Sequence, residues 1–370
     1  MAGKYRYLAY DLRTNDALDE LPLSNVKYGG ILNRAGEFSA TLKVTRRTAQ
    51  LRRANSTPER TIVYVERDGV IQEQAAYVIW IRRTRAAPAP LQLAGASLQS
   101  YLHRNRIVTN PAPFVDVDQF TIAQALVNLM QAQNGADVGI VVGSNLSGVL
   151  RSRTYYGYER KNIGDALEQL ADVDDGFDLG LDITKSAGGE PTKTLTLSYP
   201  RRGRIAGSTG LIFELGKNML DYDLLEDGTR SARSIDAFGI GDGADMKIST
   251  QTRTDLIDVG YPLTSDSIAH KDVSVQATLD AHARAAVDAS AATPMFLRLQ
   301  LKPDDVDGGL GHWILGDDVL VRIPSDLNFP RASDGTPGLS AYYRILAYDV
   351  TVPDAGKEEL WVTVGQVAPG

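Results

Sequence analysis

Between residues 37 and 44, Phe38, Ala40, Leu42 and Val44 alternate with polar neighbours. A period of two marks a strand with one buried and one wetted face. Strand patterns also cover 4–12, 26–28 before Gly29 and Gly30, 61–66 and 77–82. The 61–66 run meets Arg67, Asp68 and Gly69 and returns over 70–74. Asp-Gly is the pair a tight hairpin demands, because glycine takes positive φ without steric cost. Pro88 and Pro90 punctuate the chain before a further strand starts at Leu91.

The middle of the chain switches to the helical period. Over 121–133, Ile122, Ala125, Leu126, Leu129 and Met130 share a face, with Thr121 as the expected N-cap and Asn134-Gly135 as the stop. Over 162–173 the stripe is Ile163, Ala166, Leu167, Leu170 and Ala171, capped by Asn162 with Asp165 three residues on. Strands over 177–184 and 192–199, around a loop at 185–191, complete a small α+β module.

Strand patterns return at 211–215, 219–225 and 234–239. An Ala-rich run over 278–292, ended by Pro294, predicts a helix. Strands at 296–301 and 318–323, a long loop over 324–340, and strands at 342–352 and 358–364 close the chain. The expectation is a mainly β fold with an α+β insert. Its blocks are an N-terminal β domain at 1–110, a peripheral α+β domain at 111–205, a β-rich segment with the Ala-rich helix at 206–293, and C-terminal strands at 294–370. Residues 6–12 read RYLAYDL and residues 344–350 read RILAYDV, identical at five of seven positions. Shared strand preference explains such a match, and so does a related β-barrel at each end of the chain.

A chain of 370 residues, 43 % hydrophobic and 23 % charged, has room for two to four domains with sizeable cores. It has no cysteine, which excludes disulfides, thiolate catalysis and iron–sulfur clusters. Neither a signal-peptide pattern nor an apolar run of membrane length occurs, so a soluble protein made in a cytoplasm and not secreted by the usual route is expected. Charge is uneven: residues 1–110 hold 17 Lys+Arg and 9 Asp+Glu, and the remainder 22 and 37. Either a basic face docks an acidic partner, with Arg82 and Arg83 as the candidate contact, or the surface is unevenly charged and solvated. The basic residues follow no helical face and no module of stacking aromatics, which argues against sequence-specific nucleic-acid binding.

Candidate chemistry is thin. Residues 238–244 (FGIGDGA) place Ala244 where a dinucleotide fingerprint needs its third glycine, and no helix pattern follows, so a turn is expected. Residues 210–217 are too long, too apolar and followed by Asn218, so they are no phosphate loop. The carboxylates Asp172, Asp174 and Asp175, then Asp304, Asp305 and Asp307, then Asp317 and Asp318 sit beside glycines. Solvated turns are the leading reading, with calcium at the Asp304 group or paired-carboxylate catalysis as alternatives. Histidines at 103, 270, 282 and 312 form no ligand motif, and neither GxSxG nor SxxK occurs. No catalytic, cofactor-binding or metal residue is assigned and no cofactor is expected. Tyr155, Tyr156 and Tyr158 cluster near a turn, where they either pack or contact a glycan.

Order along the chain adds a resemblance. Residues 10–12, 21–23 and 36–42 (GEFSATL), then 60–65 with Arg67-Asp68-Gly69 and Ile79-Trp80, resemble the opening of minor tail proteins from siphoviruses of actinobacteria. The likeness continues through 153–155, 158–159, 165–171, 176–178, 197–200, 218–222, 226–229, 316–319 and 350–354. The resemblance implies a trimeric tail hub with two tube-like β-barrels per subunit and two smaller outer domains. It implies a joint between sixfold tube and threefold tip, a channel for DNA, and a virion tail-tip location. Partners so implied are the distal tail ring, the tape measure protein and tip or fibre proteins. A receptor- or carbohydrate-binding tip protein, or a cell-wall hydrolase, are the competing readings.

Overall fold

The structure is a computed structural model that describes all residues except 1–2, 87–88, 174, 186–188, 209, 230, 270–275, 292–294, 332–337 and 367–370. Pro88, Asp174, His270, Pro294 and part of the 324–340 loop therefore lie outside the described residues. The chain begins with β1 (Tyr5–Asp11), β2 (Ala17–Glu20), β3 (Leu23–Ile31), β4 (Glu37–Leu42), α1 (Ala49–Ala54), β5 (Thr61–Arg67), β6 (Val70–Arg83) and β7 (Leu91–Ser97). The insert follows as α2 (Gln99–Leu102), β8 (Phe114–Asp118), α3 (Gln119–Gln131), β9 (Ile140–Val142), β10 (Leu150–Arg153), α4 (Ile163–Ala171), β11 (Asp178–Lys185) and β12 (Pro191–Ser198). Then come β13 (Ile212–Glu214), β14 (Met219–Glu226), β15 (Ser234–Phe238), β16 (Ile248–Thr252), α5 (Thr254–Asp258), β17 (Ser265–Ala269) and α6 (Gln276–Ala291). Finally β18 (Met295–Leu301), β19 (Asp318–Ile323), β20 (Leu339–Val352) and β21 (Glu359–Gln366) close the chain.

Thirteen strands form one sheet in the order β14-β18-β21-β20-β3-β4-β7-β6-β5-β1-β2, with β19 joined to β20 and β13 to β19. Both ends of the chain meet in it, since Ala347 of β20 lies opposite Ile31 of β3 and Val352 opposite Val26. The mainly β fold with an α+β insert is as expected. The two terminal β-blocks share this sheet, and no closed barrel occurs among the described residues. The matching heptapeptides lie on β1 and β20, and Tyr7 and Ile345 are both buried. A bulge between Ile345 and Ala347 then shifts the burial phase, so β20 buries Tyr348 and Val350 while β1 buries Ala9 and Asp11.

The predicted hairpin joins β5 to β6, with φ of 52° at Asp68 and 86° at Gly69. The returning strand runs unbroken through 83, longer than expected, because Gln74 at φ 60° lies within an irregularity that realigns it against β5. Every residue of β5 is buried. Ile62 and Tyr64 of that strand join one core with Ile122, Leu126 and Leu167 of the insert helices. The N-cap of α3 is Asp118 rather than Thr121, its Oδ1 accepting from the Phe120 N–H at 2.8 Å. The helix starts earlier because Phe120 is itself core, edge-on to Phe177 at 5.3 Å between ring centroids. Asn162 caps α4 as predicted, accepting from the Gly164 N–H at 2.9 Å.

Residues 223–298 form a compact unit of their own. Its sheet has the order β16-β15-β17, and α6 packs Leu279 and Ala283 on Ala237, and Val287 on Ile235. Among the described residues no helix is long and apolar enough to cross a membrane.

In the larger unit, buried charge ties insert to sheet. Arg202, 4 % exposed, grips Asp182 of β11 through Nη1 to Oδ2 at 2.8 Å and Nη2 to Oδ1 at 2.9 Å. The Arg202 N–H and the Arg344 guanidinium of β20 both donate to Asp178 Oδ2, and Asn33 donates to its Oδ1 at 2.9 Å. Asp317 is fully buried and accepts from Arg204 Nη2 at 2.6 Å and the Ile314 N–H at 3.1 Å. Asp318 accepts from Arg201 and from the Ala206 N–H at 2.7 Å. Gly203 and Gly316 allow this approach: a Cβ on Gly203 would lie 2.2 Å from the Gly316 carbonyl carbon, and both have positive φ. Lys193 of β12 adds a buried cation, its Nζ donating to the carbonyls of Leu12 at 2.8 Å and Val138 at 2.6 Å.

Removing one partner of a buried pair strands the other. Asp182→Ala is expected to cost about 3–5 kcal/mol in urea unfolding, and Asp182→Asn less. Burial pushes the Lys193 ammonium down to about 8 from 10.5. In that interval the unfolded chain holds a proton the folded chain has lost, so stability rises from about pH 8 toward 10, by up to about 3 kcal/mol. Burial holds the Tyr5, Tyr7, Tyr28, Tyr64 and Tyr77 hydroxyls above their ordinary 10.0. Above pH 10 the unfolded chain loses those protons first, and stability falls. Urea midpoints at several pH values should pass through a maximum, and Lys193→Met should abolish the rise while keeping the fall.

Candidate interaction surface

Leu42 pairs with Leu91 and Arg83 with Gln92, so the ends of β4 and β6 and the start of β7 share one end of the sheet. The sequence there is free of acids. Residues 38–58 hold Lys43, Arg46, Arg47, Arg52 and Arg53, residues 74–110 hold Arg82, Arg83, Arg85, Arg104 and Arg106, and neither stretch has an Asp or Glu.

These cations differ in what they do. Lys43 pairs with Asp354 at 2.7 Å, Arg52 pairs with Asp19, and Arg104 lies over the Trp80 ring at 4.9 Å. Arg82 donates to the carbonyls of Arg53 and of Ser56, the latter at 3.1 Å. It thus places a positive charge on carbonyls where α1 ends. Burial there, with the Arg53 charge beside it, pushes Arg82 down from its ordinary value. Arg83 is exposed and has no hydrogen-bond or ion-pair partner among the described residues, and Arg46, Arg47 and Arg85 are alike. The candidate pair therefore divides into a positioning arginine, Arg82, and a free cation, Arg83. Beside Arg83 a groove of about 390 Å³ crosses four strands, lined by Asn25, Ser39, Thr41, Ile81, Arg83 and Gln92. Irregularities between Ser24 and Lys27 and between Ile79 and Ile81 flank it and re-aim the strands.

The other candidates resolve by their partners. Asp172 pairs with Arg34 at 2.7 Å and Asp304 with Arg67. Asp305 is a turn carboxylate, accepting from the Asp307 and Gly308 N–H groups at 3.0 Å each. Asp317 and Asp318, expected in a solvated turn, are instead buried acceptors of arginine. Gly241 and Gly243, at φ 111° and 57°, lead into a short 3₁₀ turn, Gly243–Asp245, as a turn reading requires. Gly216 turns at φ 88° and Lys217 pairs with Glu214 at 2.8 Å, which leaves no phosphate cradle at 210–217. Tyr155 is core, whereas Tyr156 and Tyr158 are exposed and stacked with centroids 5.1 Å apart.

One cluster escaped the sequence reading. His103 meets Asp165 through Nδ1 and Glu168 through Nε2, each at 3.0 Å, joining the end of α2 to α4. The three groups lie close enough together to share a cation. The signal was present as an acidic i, i+3 pair on α4, but nothing nearby in sequence pointed to a histidine 62 residues away.

No protein-family model and no curated protein matches this sequence. Solved structures do match it over its whole length. The tail protein from Neisseria meningitidis MC58 is 12 % identical, with 97 % of this chain and 96 % of that one covered at a TM-score of 0.58. The 43 kDa tail protein of prophage MuSo2 from Shewanella oneidensis is 10 % identical, with 98 % of each chain covered at 0.61. The chain has the fold of phage tail proteins. A chain of the lidded Francisella PdpA–VgrG complex extends the likeness at 8 % identity, 99 % of this chain, 54 % of that one and a TM-score of 0.50. At such identities a tail-protein fold is shared and the surface chemistry is this chain's own.

The two arginines should separate experimentally. Arg82→Ala removes charged donors from helix-end carbonyls and is expected to cost about 1–2 kcal/mol in urea unfolding. Arg83→Ala should stay within about 0.5 kcal/mol.

Proposed function

We propose that this chain is a structural subunit of the tail of a long-tailed phage of siphovirus type. In this reading three copies form a hub at the tail tip that joins the sixfold tube and distal ring above to a threefold tip below. The tape measure protein and the tip or fibre proteins are its further partners, and the assembled virion tail is its location. The carrying observation is a likeness to two tail proteins that spans 97 and 98 % of the chain, rather than one domain of it. A sheet built jointly by both ends of the chain suits a wall, since pairing leaves few free edges. No catalytic role enters this reading: Asp304, Asp317 and Asp318 are held by arginines and Asp305 by turn N–H groups.

The hub leaves a channel through which DNA slides without being held. Phosphates bind wherever lysines and arginines neutralise them, so a conducting wall should be neutral or acidic. A net charge of −7 per chain agrees with that requirement. A second reading rests on the exposed stack of Tyr156 and Tyr158, whose open ring face suits a sugar ring and would make this a glycan-binding tip protein.

Light scattering with negative-stain imaging of the purified chain is the test. A ring of about three times the chain's 40.1 kDa is expected. A monomer that binds host glycans, and loses them with Tyr158→Ala, would replace the hub with the second reading.

A further inference from the structure

The free end of the sheet has a counterpart elsewhere on the same chain. Residues 302–310 form a hydrogen-bonded knob: the Asp305 N–H donates to Lys302 O at 3.2 Å, the Gly309 N–H to Asp305 O at 2.9 Å, and the Leu310 N–H to Pro303 O at 3.0 Å. A Cβ at Gly309 would lie 2.4 Å from the Pro303 oxygen, so the turn closes tightly upon itself. Its tip presents Val306, 76 % exposed, next to Asp307, an exposed carboxylate with no side-chain partner among the described residues. The groove presents the complement: Ile81, 60 % exposed, next to the unpartnered Arg83. One apolar group and one charge stand side by side on each surface, with opposite signs.

The two surfaces lie at opposite ends of one strand. Asp304, within the knob, is anchored to Arg67 at the hairpin where β6 begins, and Arg83 is the last residue of that 14-residue strand. Counted along its partners β5 and β7, which absorb its irregularities, the strand spans about 30 Å at ~3.3 Å per residue. A copy therefore cannot seat its own knob in its own groove. Two different complementary patches on one chain make a heterologous contact, which builds a closed ring where its rotation closes and an open filament where it does not.

We propose that the groove at Ile81 and Arg83 receives the Val306–Asp307 knob of a second copy of this chain, as the anchor of the subunit interface. Val306 covers Ile81, and the Asp307 carboxylate accepts from the Arg83 guanidinium. Arg46 and Arg47 follow the end of β4 and Arg85 the end of β6, so the chain leaving these strands adds positive charge that favours the acidic part of a neighbouring copy. The turn hydrogen bonds hold the knob in its docking shape beforehand, so little ordering accompanies binding. This contact rests on the self-assembling reading given above and supplies its chemistry.

The test is sedimentation of the full chain at low and high salt, for the wild type, Arg83→Glu, Asp307→Lys and the double exchange. Unchanged urea midpoints for all four confirm intact folding, as expected for exposed side chains. The wild type should associate, and less so in high salt. Each single reversal should weaken association about tenfold or more, and the double exchange should restore most of it. Single variants that associate like the wild type, or a double variant without rescue, overturn the contact and leave the ring reading standing. A wild type that stays monomeric at every concentration overturns both.

Discussion

The pairing of arginines around residues 201–204, Arg202 itself buried, with buried aspartates is the constraint on which the larger unit depends. The three arginines of that stretch reach β11 through Asp182 and β19 through Asp318 and Asp317. Arg344 brings β20 to Asp178, which also holds Asn33 just past β3. Desolvating such charges costs several kcal/mol per ion, so apolar side chains of equal volume would serve raw stability as well or better. What apolar contacts lack is direction. A bidentate Arg202–Asp182 pair tolerates only one register of the insert against the sheet, and a shift by one residue would leave an unpaired charge in the interior. We take the knot to be a device for register and topology more than for stability. The facing glycines at 203 and 316 are its steric condition, since any side chain there would push the backbones apart.

How much of this was legible in the sequence follows from the range of each interaction. The 318–323 strand was readable because alternation is local, and it emerges as Asp318–Ile323. So was the 162–173 helix, whose cap and stripe are contained in a dozen residues. The hairpin at Asp68-Gly69 needed only two residues with positive φ. The aspartates at 317 and 318 were misread because their meaning lies 113 and 117 residues away, at Arg204 and Arg201. Aspartate beside glycine is the ordinary sign of a turn, and burial carries no local mark. Thr121 was misplaced as a cap for a similar reason: Phe120 belongs to the core only because Phe177 arrives from another element. The heptapeptide match marks two strands of like composition, and a one-residue bulge in β20 sets their buried faces out of phase.

Charge on residues 1–110 was legible as a sum and not as a surface. Seventeen basic residues suggest a broad basic face. In the fold several of these cations are already paired: Arg6 with Glu20 and Glu66, Arg60 with Asp11, Arg52 with Asp19, and Arg67 with the distant Asp304 and Glu358. Four that stay free, Arg46, Arg47, Arg83 and Arg85, belong to two acid-free stretches of sequence, 38–58 and 74–110, whose strands β4, β6 and β7 pair side by side. Arg82 and Arg83 show how fine the division is. Adjacent residues on a strand point to opposite faces, so one turns to the helix-end carbonyls and the other to solvent.

A fold held at 10–12 % identity constrains the interior and leaves the surface open. The alternating apolar rows and strand order that define the sheet can be met by many sequences, whereas an assembly contact needs particular charges in particular places. Partner choice is therefore to be sought in residues that the fold does not require. Arg83 and Asp307 satisfy that condition: neither has a side-chain partner among the described residues, and each stands beside an exposed apolar side chain. Arg82, Asp317 and Lys193 do not satisfy it, because each satisfies or is satisfied by backbone groups within the same chain. Separating cations and carboxylates by what they already bind, rather than by their number, is what turns a charge asymmetry into a docking hypothesis.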